Sequence, residues 1–332
     1  MPQLGKKPKV LLTGAAGYIA SHAALAFMEA GWDVVGIDNL SVGQRRMVPE
    51  GVEFHELDCR SPEVFDLARS CGIDIAAHFA GLIRVDESVF EPLKYYDNNV
   101  AAAASFFGSA TKAGVKGIVF SSTAAVYAEG AEAPVSETYP KSPASPYGRS
   151  KLAAEWVLHD HCLVTEPRHV TLRYFNVAGA DPELRSGPRR DAQHLVKAVS
   201  EAAVGLRDHI QIFGTDYDTP DGTCIRDFVH ISDLASAHVS AAHYLLNGGD
   251  SVTLNCGYGR GLSVREVINH AARFADAPLK TVLVPRRAGD LVTVVADARK
   301  LRETLGWTPK FDDLDAIMKT AIAWERKQLA EA

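Results

Sequence analysis

Tyr147 and Lys151 lie four residues apart in the segment Ser145–Lys151, which reads Ser-Pro-Tyr-Gly-Arg-Ser-Lys. Ser145 is a typical N-cap residue and Pro146 suits the first helical position, so a helix is predicted to begin here. On that helix Tyr147 and Lys151 share one face in the first turns. A free tyrosine has a pKa of about 10, but a nearby ammonium and a helix N-terminus both favour the phenolate. The pair predicts an acid/base tyrosine; a surface pair without chemistry is the open alternative.

Hydroxyl side chains end the apolar segment Ile118–Thr123. In an open parallel sheet the carboxyl ends of the strands face the ligand crevice. A hydroxyl at that place, such as Thr123, can bridge a substrate alcohol and the Tyr147 phenolate. The alternative is that these hydroxyls only bond the backbone.

The segment Val10–Ala20 joins a predicted strand to a predicted helix and contains Gly14 and Gly17. Gly14 allows a tight turn, Gly17 lets the backbone approach a diphosphate, and Ala20 permits close packing of helix on strand. The N–H groups at the helix N-terminus would hold the negative charge. Asp38 ends the next predicted strand, 18 residues beyond Ala20, and an acidic residue there binds ribose hydroxyls and repels a 2′-phosphate. The pattern predicts NAD rather than NADP, with a purely structural turn as the alternative.

Short apolar runs alternate with helix-like stretches through the first half of the chain. The predicted strands are Lys9–Thr13, Trp32–Asp38, Val52–Asp58, Ile73–Phe79, Gly117–Ser121 and His169–Phe175. The predicted helices are Ser21–Ala30, Pro62–Ser70, Asn98–Ala113, Pro146–Leu158 and Ser232–Leu246. Strands that are apolar on both faces and separated by helices are typical of a parallel sheet covered on both sides. The predicted fold class is therefore α/β, with a doubly wound parallel sheet of the Rossmann type.

The pattern loosens beyond Phe175 into shorter strands and helices. An NAD-binding Rossmann domain is predicted over residues 1–176, and it also receives about 228–256, because Ser232–Leu246 is expected to pack back on the sheet. A smaller mixed α/β region that binds the substrate is predicted over 177–227 and 257–332, interleaved with the first. Within it Asp181–Asp191, a polar segment with prolines and arginines, is predicted to be an exposed loop.

The composition excludes several classes of protein. The chain has 332 residues, 47% hydrophobic and 23% charged, as in ordinary globular proteins. Its net charge of −6 offers no basic field to nucleic acid or to an anionic membrane. Five cysteines without a CxxC pair favour neither disulfides nor a zinc site, and they suit a reducing cytoplasm. No apolar run is long enough for a signal peptide or a membrane span. We predict a cytoplasmic protein without metal, nucleic-acid or membrane partners.

Stretches spread over nearly the whole chain resemble those of the UDP-glucose (UDP-galactose) 4-epimerases, a group within the extended short-chain dehydrogenase/reductase family. These stretches are Thr13–His22, Asp38–Ser41, His78–Gly81, Tyr95–Asn99, Phe120–Tyr127, Ser145–Lys151, Arg173–Asn176, Ile212–Tyr217, Asp221–Asp227 and Arg287–Asp290. The resemblance implies 4-epimerisation of a UDP-sugar, UDP-glucose and UDP-galactose first, by transient hydride transfer at C4 through a 4-keto intermediate. It also implies that NAD stays bound and that the protein is a homodimer.

The resemblance assigns roles to individual residues. Tyr147 would be the acid/base, Lys151 would tune it and bind the nicotinamide ribose, and Thr123 would mediate proton transfer. The NAD-binding residues would be Gly14, Gly17, Tyr18, Ile19, Asp38, Asn39, Leu40, Ser41, Val42, Gly43, Asp58, Cys59, Phe79, Ala80, Gly81, Leu82, Ile83, Asn99, Thr123, Tyr147, Lys151 and Phe175. The substrate-binding residues would be Asn176, His194, Phe213, Arg226, Arg287, Asp290 and Val294.

In the implied substrate site, different residues would bind different parts of the UDP nucleotide. Asn176, Arg226 and Arg287 would hold the diphosphate, which planar guanidinium groups bind in pairs of hydrogen bonds. Phe213 would stack on uracil and Asp290 would accept from the uridine ribose. Three non-functional alternatives stay open: a pairing of Arg226 with its neighbour Asp227 alone, a solvated Arg287, and a core position for Phe213.

Three positions depart from the family pattern. His194 replaces a common asparagine. Ile83 stands where members often carry a lysine near the cofactor phosphates, a loss for which Arg84 beside it could compensate. Val294 lies where the family varies between tyrosine and small residues, and a small residue widens the pocket for an N-acetylated sugar. The choice of sugar therefore stays open.

Other functions also stay open. UDP-N-acetylglucosamine and UDP-xylose/UDP-arabinose 4-epimerases share these motifs. Dehydratase and decarboxylase relatives need acidic groups beside the strand-end hydroxyls, whereas Thr123 is followed by Ala124 and Ala125. A non-catalytic dinucleotide-sensing regulator on the same fold is the remaining alternative. Such regulators usually lack the tyrosine or the lysine, and both are present here.

Overall fold

The computed structural model describes residues 7–128, 133–287 and 290–331. The strands are β1 (Lys9–Thr13), β2 (Asp33–Asp38), β3 (Glu53–Glu56), β4 (Ile75–His78), β5 (Gly117–Thr123), β6 (Arg168–Tyr174), β7 (Asn176–Ala178), β8 (Ile210–Phe213), β9 (Ile225–Arg226), β10 (Phe228–His230), β11 (Val252–Cys256), β12 (Leu262–Ser263), β13 (Thr281–Val284) and β14 (Thr293–Val294). The helices are α1 (Tyr18–Glu29), α2 (Glu63–Cys71), α3 (Val85–Phe90), α4 (Pro92–Tyr96), α5 (Ala102–Lys112), α6 (Pro146–Leu163), α7 (Leu195–Ala203), α8 (Ile231–Leu246), α9 (Val264–Ala271), α10 (Arg299–Leu305) and α11 (Leu314–Ala330). Residues 1–6, which open the predicted NAD-binding domain, lie outside the described residues.

Seven parallel strands form the central sheet, in the order β11-β6-β5-β4-β1-β2-β3. Val10, Leu11 and Leu12 of β1 are fully buried, as expected for a strand covered by helices on both faces. The strand order reverses between β1 and β4, and in such sheets ligands bind outside the carboxyl ends at the reversal. The predicted fold class, a doubly wound parallel sheet of the Rossmann type, is confirmed.

Helix α8 packs on α1 and on β5, so the predicted helix Ser232–Leu246 does return to the sheet. The strand that follows it, β11, pairs in parallel with β6 and forms one edge of the sheet. The remaining strands form three small sheets, β10-β7, β12-β9-β14 and β13-β8. Since β7 follows β6 after a single residue, the chain reaches these small sheets from the carboxyl end of the central one.

The structure corrects two predictions of local structure. The predicted helix Asn98–Ala113 is not a continuous α-helix, because a π-helical turn at Asp97–Ala101 precedes α5. The prediction that Asp181–Asp191 is exposed is wrong at its first residue, Asp181, and at residues 186–188, which are all buried. The Ser186 hydroxyl and carbonyl contact Ser21 and His22 of α1, and such long-range contacts leave no local sequence pattern.

No helix among the described residues is both long enough and apolar enough to cross a membrane.

Candidate active site

The turn between β1 and α1 has the geometry that the glycine pattern predicts. Gly14 has a φ of +66°, and a Cβ there would lie 2.9 Å from the backbone nitrogen of Ala80. Gly17 is the N-cap of α1 and makes no side-chain capping bond, and the first turn carries no acidic residue. The N–H groups of this helix start therefore suit an anionic diphosphate. Tyr18, in the first turn, donates its hydroxyl to the carbonyl of Gly179 at 2.6 Å.

The Asp38 carboxylate is fixed at the carboxyl end of β2. Its Oδ2 accepts from the Ala16 N–H at 3.0 Å and its Oδ1 accepts from the Leu40 N–H at 2.8 Å. A Cβ on Gly43 would lie 2.7 Å from Oδ2, so this turn closes directly over the carboxylate. Each carboxylate oxygen has a second acceptor position, which is what ribose hydroxyls require.

The residues after Asp38 are linked by hydrogen bonds to one another and to the segment after β3. Asn39 donates to Asp58 at 2.8 Å, and its Oδ1 accepts from both the N–H and the hydroxyl of Ser41. Hydrogen bonds from the Arg60 guanidinium hold the pKa of Asp58 at about 2. Burial raises the pKa of the Cys59 thiol to about 12, so the thiol is uncharged at physiological pH.

Two polar side chains hold the loop after β4, which contains the predicted cofactor residues 79–83. The Thr13 hydroxyl oxygen accepts from the N–H groups of Phe79 and Ala80, both at 3.1 Å. Asn99 accepts from the Leu82 N–H at 2.8 Å and donates to the Leu82 carbonyl at 3.0 Å. Asn99 is buried in the π-helical turn and also donates to Ser150. It thus joins this loop to α6.

Helix α6 begins as predicted. The Ser145 hydroxyl accepts from the Gly148 N–H at 3.1 Å, and Pro146 occupies the first turn. The Thr123 hydroxyl interacts with the Tyr147 phenol and lowers its pKa, against the larger effect of burial. Since Thr123 Oγ1 already accepts from the Ala125 N–H, its own proton is available to the phenol oxygen.

Gly148 is a site residue to which the sequence argument gave no role. A Cβ there would lie 2.3 Å from the carbonyl oxygen of Ala125. Only glycine lets α6 come close enough to the end of β5 for Tyr147 to meet Thr123. The available signal was a glycine inside a helix, where it is intrinsically unfavourable and needs a packing reason.

Burial acts against ionisation of both members of the Tyr147–Lys151 pair. It raises the pKa of Tyr147 more than the hydrogen bond from Thr123 lowers it. It lowers the pKa of Lys151 to about 8, against a smaller opposing effect of Glu155. Burial therefore opposes the phenolate form of Tyr147, and a bound cation, such as the charged ring of an oxidised nicotinamide, would favour it.

The predicted substrate residues occur in two pairs. Arg226 forms an ion pair with Asp290 at 2.9 Å, and the Arg287 guanidinium lies 3.7 Å from the centre of the Phe213 ring. Val294 is the register partner of Arg226 in the β14–β9 pair. Ala288 and Gly289 of the Arg287–Asp290 stretch lie outside the described residues. The pairing of Arg226 with Asp227 alone, kept open above, is wrong.

Asp227 is occupied by the backbone instead. Its carboxylate accepts from the N–H groups of Tyr258, Gly259 and Ala296. Its neighbour Arg226 is therefore directed to Asp290.

The other two predicted substrate residues, Asn176 and His194, lie on other elements, and the Asn176 N–H donates to the Asp227 carbonyl at 2.9 Å. Asn176 is exposed at the start of β7. His194 is the N-cap of α7, where its Nδ1 accepts from the Lys197 N–H at 3.2 Å. Burial lowers the pKa of His194 to about 4, and its Nε2 has no partner among the described residues. The histidine therefore folds neutral with its proton on Nε2.

Residues 10–257 match the family described as "NAD dependent epimerase/dehydratase family". The chain belongs to this family. It is 48% identical to a UDP-glucose 4-epimerase of Azospirillum brasilense, over 98% of this chain and 94% of that protein. The match confirms the family resemblance, and the predicted cofactor, NAD, is the one that the family description names.

Two solved structures of family members superpose closely. A UDP-glucose 4-epimerase of Stenotrophomonas maltophila, with bound NAD and formylated UDP-arabinopyranose, gives a TM-score of 0.94 at 36% identity, covering 98% of this chain and all (100%) of that one. A UDP-Glc/GlcNAc 4-epimerase of Campylobacter jejuni gives 0.84 at 42% identity, covering 96% and 99%. Both cover the central sheet and the small sheets together.

No group of three or more histidine, cysteine, aspartate or glutamate side chains within 7–128, 133–287 and 290–331 could hold a metal ion.

Proposed function

We propose that this protein is an NAD-dependent UDP-sugar 4-epimerase that interconverts UDP-glucose and UDP-galactose. The observation that carries the proposal is the buried Tyr147 phenol, which interacts with the Thr123 hydroxyl at the carboxyl end of β5, with Lys151 one turn further along α6. Ala124 and Ala125 follow Thr123, so no carboxylate adjoins it to assist elimination of water. This supports chemistry that needs only a proton acceptor and a hydride acceptor.

The NAD site in this proposal follows the predicted residues. Gly14 and Gly17 hold the diphosphate at the start of α1, and the Asp38 carboxylate takes the adenine-side ribose. The loop 79–83, braced by Thr13 and Asn99, lines the middle of the cofactor. When bound, NAD supplies the hydride acceptor and donor for C4 of the sugar.

Tyr147 moves the proton in this proposal. Its phenolate would accept the proton of the C4 hydroxyl, with Thr123 bridging the two oxygens, as C4 gave up its hydride to bound NAD and became a ketone. Lys151 would hold a positive charge near the phenolate. Once the 4-keto sugar had turned over, the hydride would return to the opposite face of C4 and Tyr147 would give the proton back to O4. No net oxidation results.

Arg226 and Arg287 bind the substrate diphosphate in this proposal, and Phe213 stacks on the uracil. When the nucleotide binds, Arg226 would exchange its ion pair with Asp290 for contacts with the diphosphate. Arg287 would likewise move off the Phe213 ring, which then stacks on the uracil. Residues 1–176 with about 228–256 would form the NAD-binding domain, and 177–227 with 257–332 the substrate-binding region. Asp290, Asn176, His194 and Val294 would complete that region.

We also propose that the protein is a homodimer. Four apolar side chains are exposed on neighbouring helices: Val89 and Phe90 of α3, Leu93 of α4 and Trp156 of α6. Both α3 and α4 pack on α6, so these side chains lie on neighbouring helices, and they are named here the apolar helical face. Exposed apolar side chains grouped on neighbouring elements support an interface. The five cysteines are free thiols, which supports a reducing, cytoplasmic location.

The test is incubation of the purified protein, without added nucleotide, with UDP-glucose, UDP-galactose, UDP-N-acetylglucosamine and UDP-xylose. Chromatography of the products and assay of dinucleotide released on denaturation give substrate and cofactor together. We expect interconversion of UDP-glucose and UDP-galactose, with NAD co-purifying. Tyr147→Phe should lower turnover by at least about 100-fold, the scale of general acid–base catalysis. Conversion of none of the sugars would overturn the proposal in favour of the regulator.

A further inference from the structure

We propose that the Phe120 ring is a positioning residue that holds the Lys151 ammonium by a cation–π contact beside Tyr147. This rests on the proposed function, in which Lys151 acts on that tyrosine. The Lys151 Nζ lies 4.4 Å from the centre of the Phe120 ring. Phe120 is 0% and Lys151 5% exposed, and cation–π attraction is strongest where water is excluded.

The ammonium has no carboxylate partner of its own among the described residues. Glu155, one turn along α6, is bonded by Arg173 at 2.6 and 3.0 Å and by the Ser122 hydroxyl. It attracts Lys151 only at longer range. The other titratable groups facing Lys151 are Tyr147 on the same helix and His78 on β4. The Phe120 face is therefore the direct contact that stabilises the charge.

Stacked rings fix the position of Phe120. The His78 ring stacks on it, with centres 5.9 Å apart and planes at 17°, and Phe106 stacks on His78 at 5.0 Å and 23°. Phe106 and His78 are buried as well. Phe120 thus has a defined orientation from which its face can meet the ammonium.

The stacked rings of Phe120, His78 and Phe106 form a column. His78 must be uncharged in it, since a second cation would repel Lys151. Thr13 Oγ1 accepts from two backbone N–H groups and lies 2.9 Å from His78 Nδ1. The hydroxyl proton therefore goes to Nδ1, which must accept it. Burial holds the pKa of His78 at about 3, in agreement with a neutral ring. The same Thr13 braces the loop 79–83, so the column connects the lysine to the cofactor loop.

The test lowers the negative charge on the face of the Phe120 ring while keeping the shape of the ring nearly unchanged. Phenylalanine at position 120 is replaced by its mono-, di- and trifluoro analogues, and the ionisation of Lys151 is followed by its rate of acetylation against pH, read by mass spectrometry. We expect the pKa of Lys151 to fall stepwise, by about one pH unit at three fluorines, and acetylation at pH 7 to rise about five-fold as the free amine fraction grows. The kcat for the UDP-sugar should fall with the same steps while KM changes less than two-fold.

The matched control is the same fluorinated series at Phe106. Two rings, Phe120 and His78, separate Phe106 from the ammonium, so this series should leave the Lys151 pKa unchanged. Phe120→Leu should reproduce the trifluoro shift. A Lys151 pKa that does not move with fluorination at position 120, or that moves equally at 106, would overturn the positioning role. Because acetylation reports ionisation and not turnover, this result is separable from a failure of the epimerase proposal itself.

Discussion

The contact between α6 and the end of β5 depends on the missing side chain at position 148. Tyr147 and Thr123 meet because the backbones approach to a distance that no Cβ fits. The site therefore depends on the absence of a side chain at Gly148 as much as on the reactive groups of Tyr147 and Thr123. The same holds at Gly14, where a Cβ would meet the backbone of Ala80.

Gly148→Ala should separate Tyr147 from Thr123. The added Cβ would lie 2.3 Å from the Ala125 carbonyl oxygen, so α6 must shift, and overpacking of this kind costs about 1–3 kcal/mol. We expect kcat to fall at least ten-fold and the free energy of unfolding to fall by that amount. Steady-state kinetics and urea unfolding check both.

Gly108→Ala is the control for that substitution. Gly108 also lies inside a helix, α5, but a Cβ there would have no atom within 4 Å. It should gain about 0.5–1 kcal/mol from better helix propensity and keep full activity. An active Gly148→Ala variant would mean that the Tyr147–Thr123 contact is not needed.

At the scale of elements, the π-helical turn between α4 and α5 aims Asn99 at the cofactor loop. Such turns are rare and occur frequently at functional sites. Here the turn replaces the start of a helix predicted to be continuous, and the Asn99 side chain in it accounts for both backbone bonds of Leu82.

Asn99→Ala should loosen the loop 79–83 and weaken NAD binding. It removes the bonds to Leu82 and Ser150 and leaves the part-buried N–H and carbonyl of Leu82 without their Asn99 partner, which costs about 1–3 kcal/mol. We expect the dissociation constant for NAD to rise about ten-fold or more, measured by fluorescence titration of protein freed of dinucleotide.

Asn98→Ala is the matched control, because Asn98 lies in the same turn and its side chain makes no hydrogen bond within the described ranges. Its affinity for NAD should equal that of the unaltered protein. Equal affinities in both variants would show that the loop holds its shape without Asn99.

The sequence predicted those elements whose signals are local. The start of α6 follows from Ser145 and Pro146, and the β1 turn from Gly14. The ion pair of Arg226 with Asp290 and the stacking of Arg287 on Phe213 join segments more than 60 residues apart, and no local pattern encodes such pairs. The burial that raises the pKa of Tyr147 is likewise a property of the assembled fold.

At the scale of the whole molecule, the apolar helical face lies on the helices that surround the reactive pair. Trp156 is on α6, one residue from Glu155 and little more than one turn beyond Lys151. A second copy seated on this face would buttress the helix that carries Tyr147. Association and activity are therefore expected to be connected.

Leu93→Glu should produce a monomer. Leu93 is 82% exposed, so the charge costs the separate chain little but cannot be buried between two copies. Light scattering after gel filtration should give half the mass of the unaltered protein. Leu206→Glu, which alters an exposed leucine outside the apolar helical face, should stay dimeric; if the unaltered protein is itself a monomer, the homodimer proposal fails.

Stability should fall in mild acid because six histidines fold in the neutral form. Burial is the main cause of the lowered pKa, to about 3 or 4, at His22, His78, His169, His194, His230 and His238. In the unfolded chain a histidine has a pKa of about 6.5. Between pH 6.5 and about 4 the unfolded state therefore binds protons that the folded state does not. Stability is fully present above pH 6.5 and is lost as the pH falls through this window.

Each of these histidines can contribute up to about 1.4 kcal/mol per pH unit within the window. Urea unfolding at pH 7.0, 6.0 and 5.0 should give a steadily falling free energy. His169→Leu should flatten the slope by about that amount, because His169 is buried and its Nε2 has no partner to lose among the described residues. His209→Leu, at an exposed position, should leave the slope as it is. A free energy of unfolding that stays constant from pH 7 to 5 would mean that the interior accepts these protons after all.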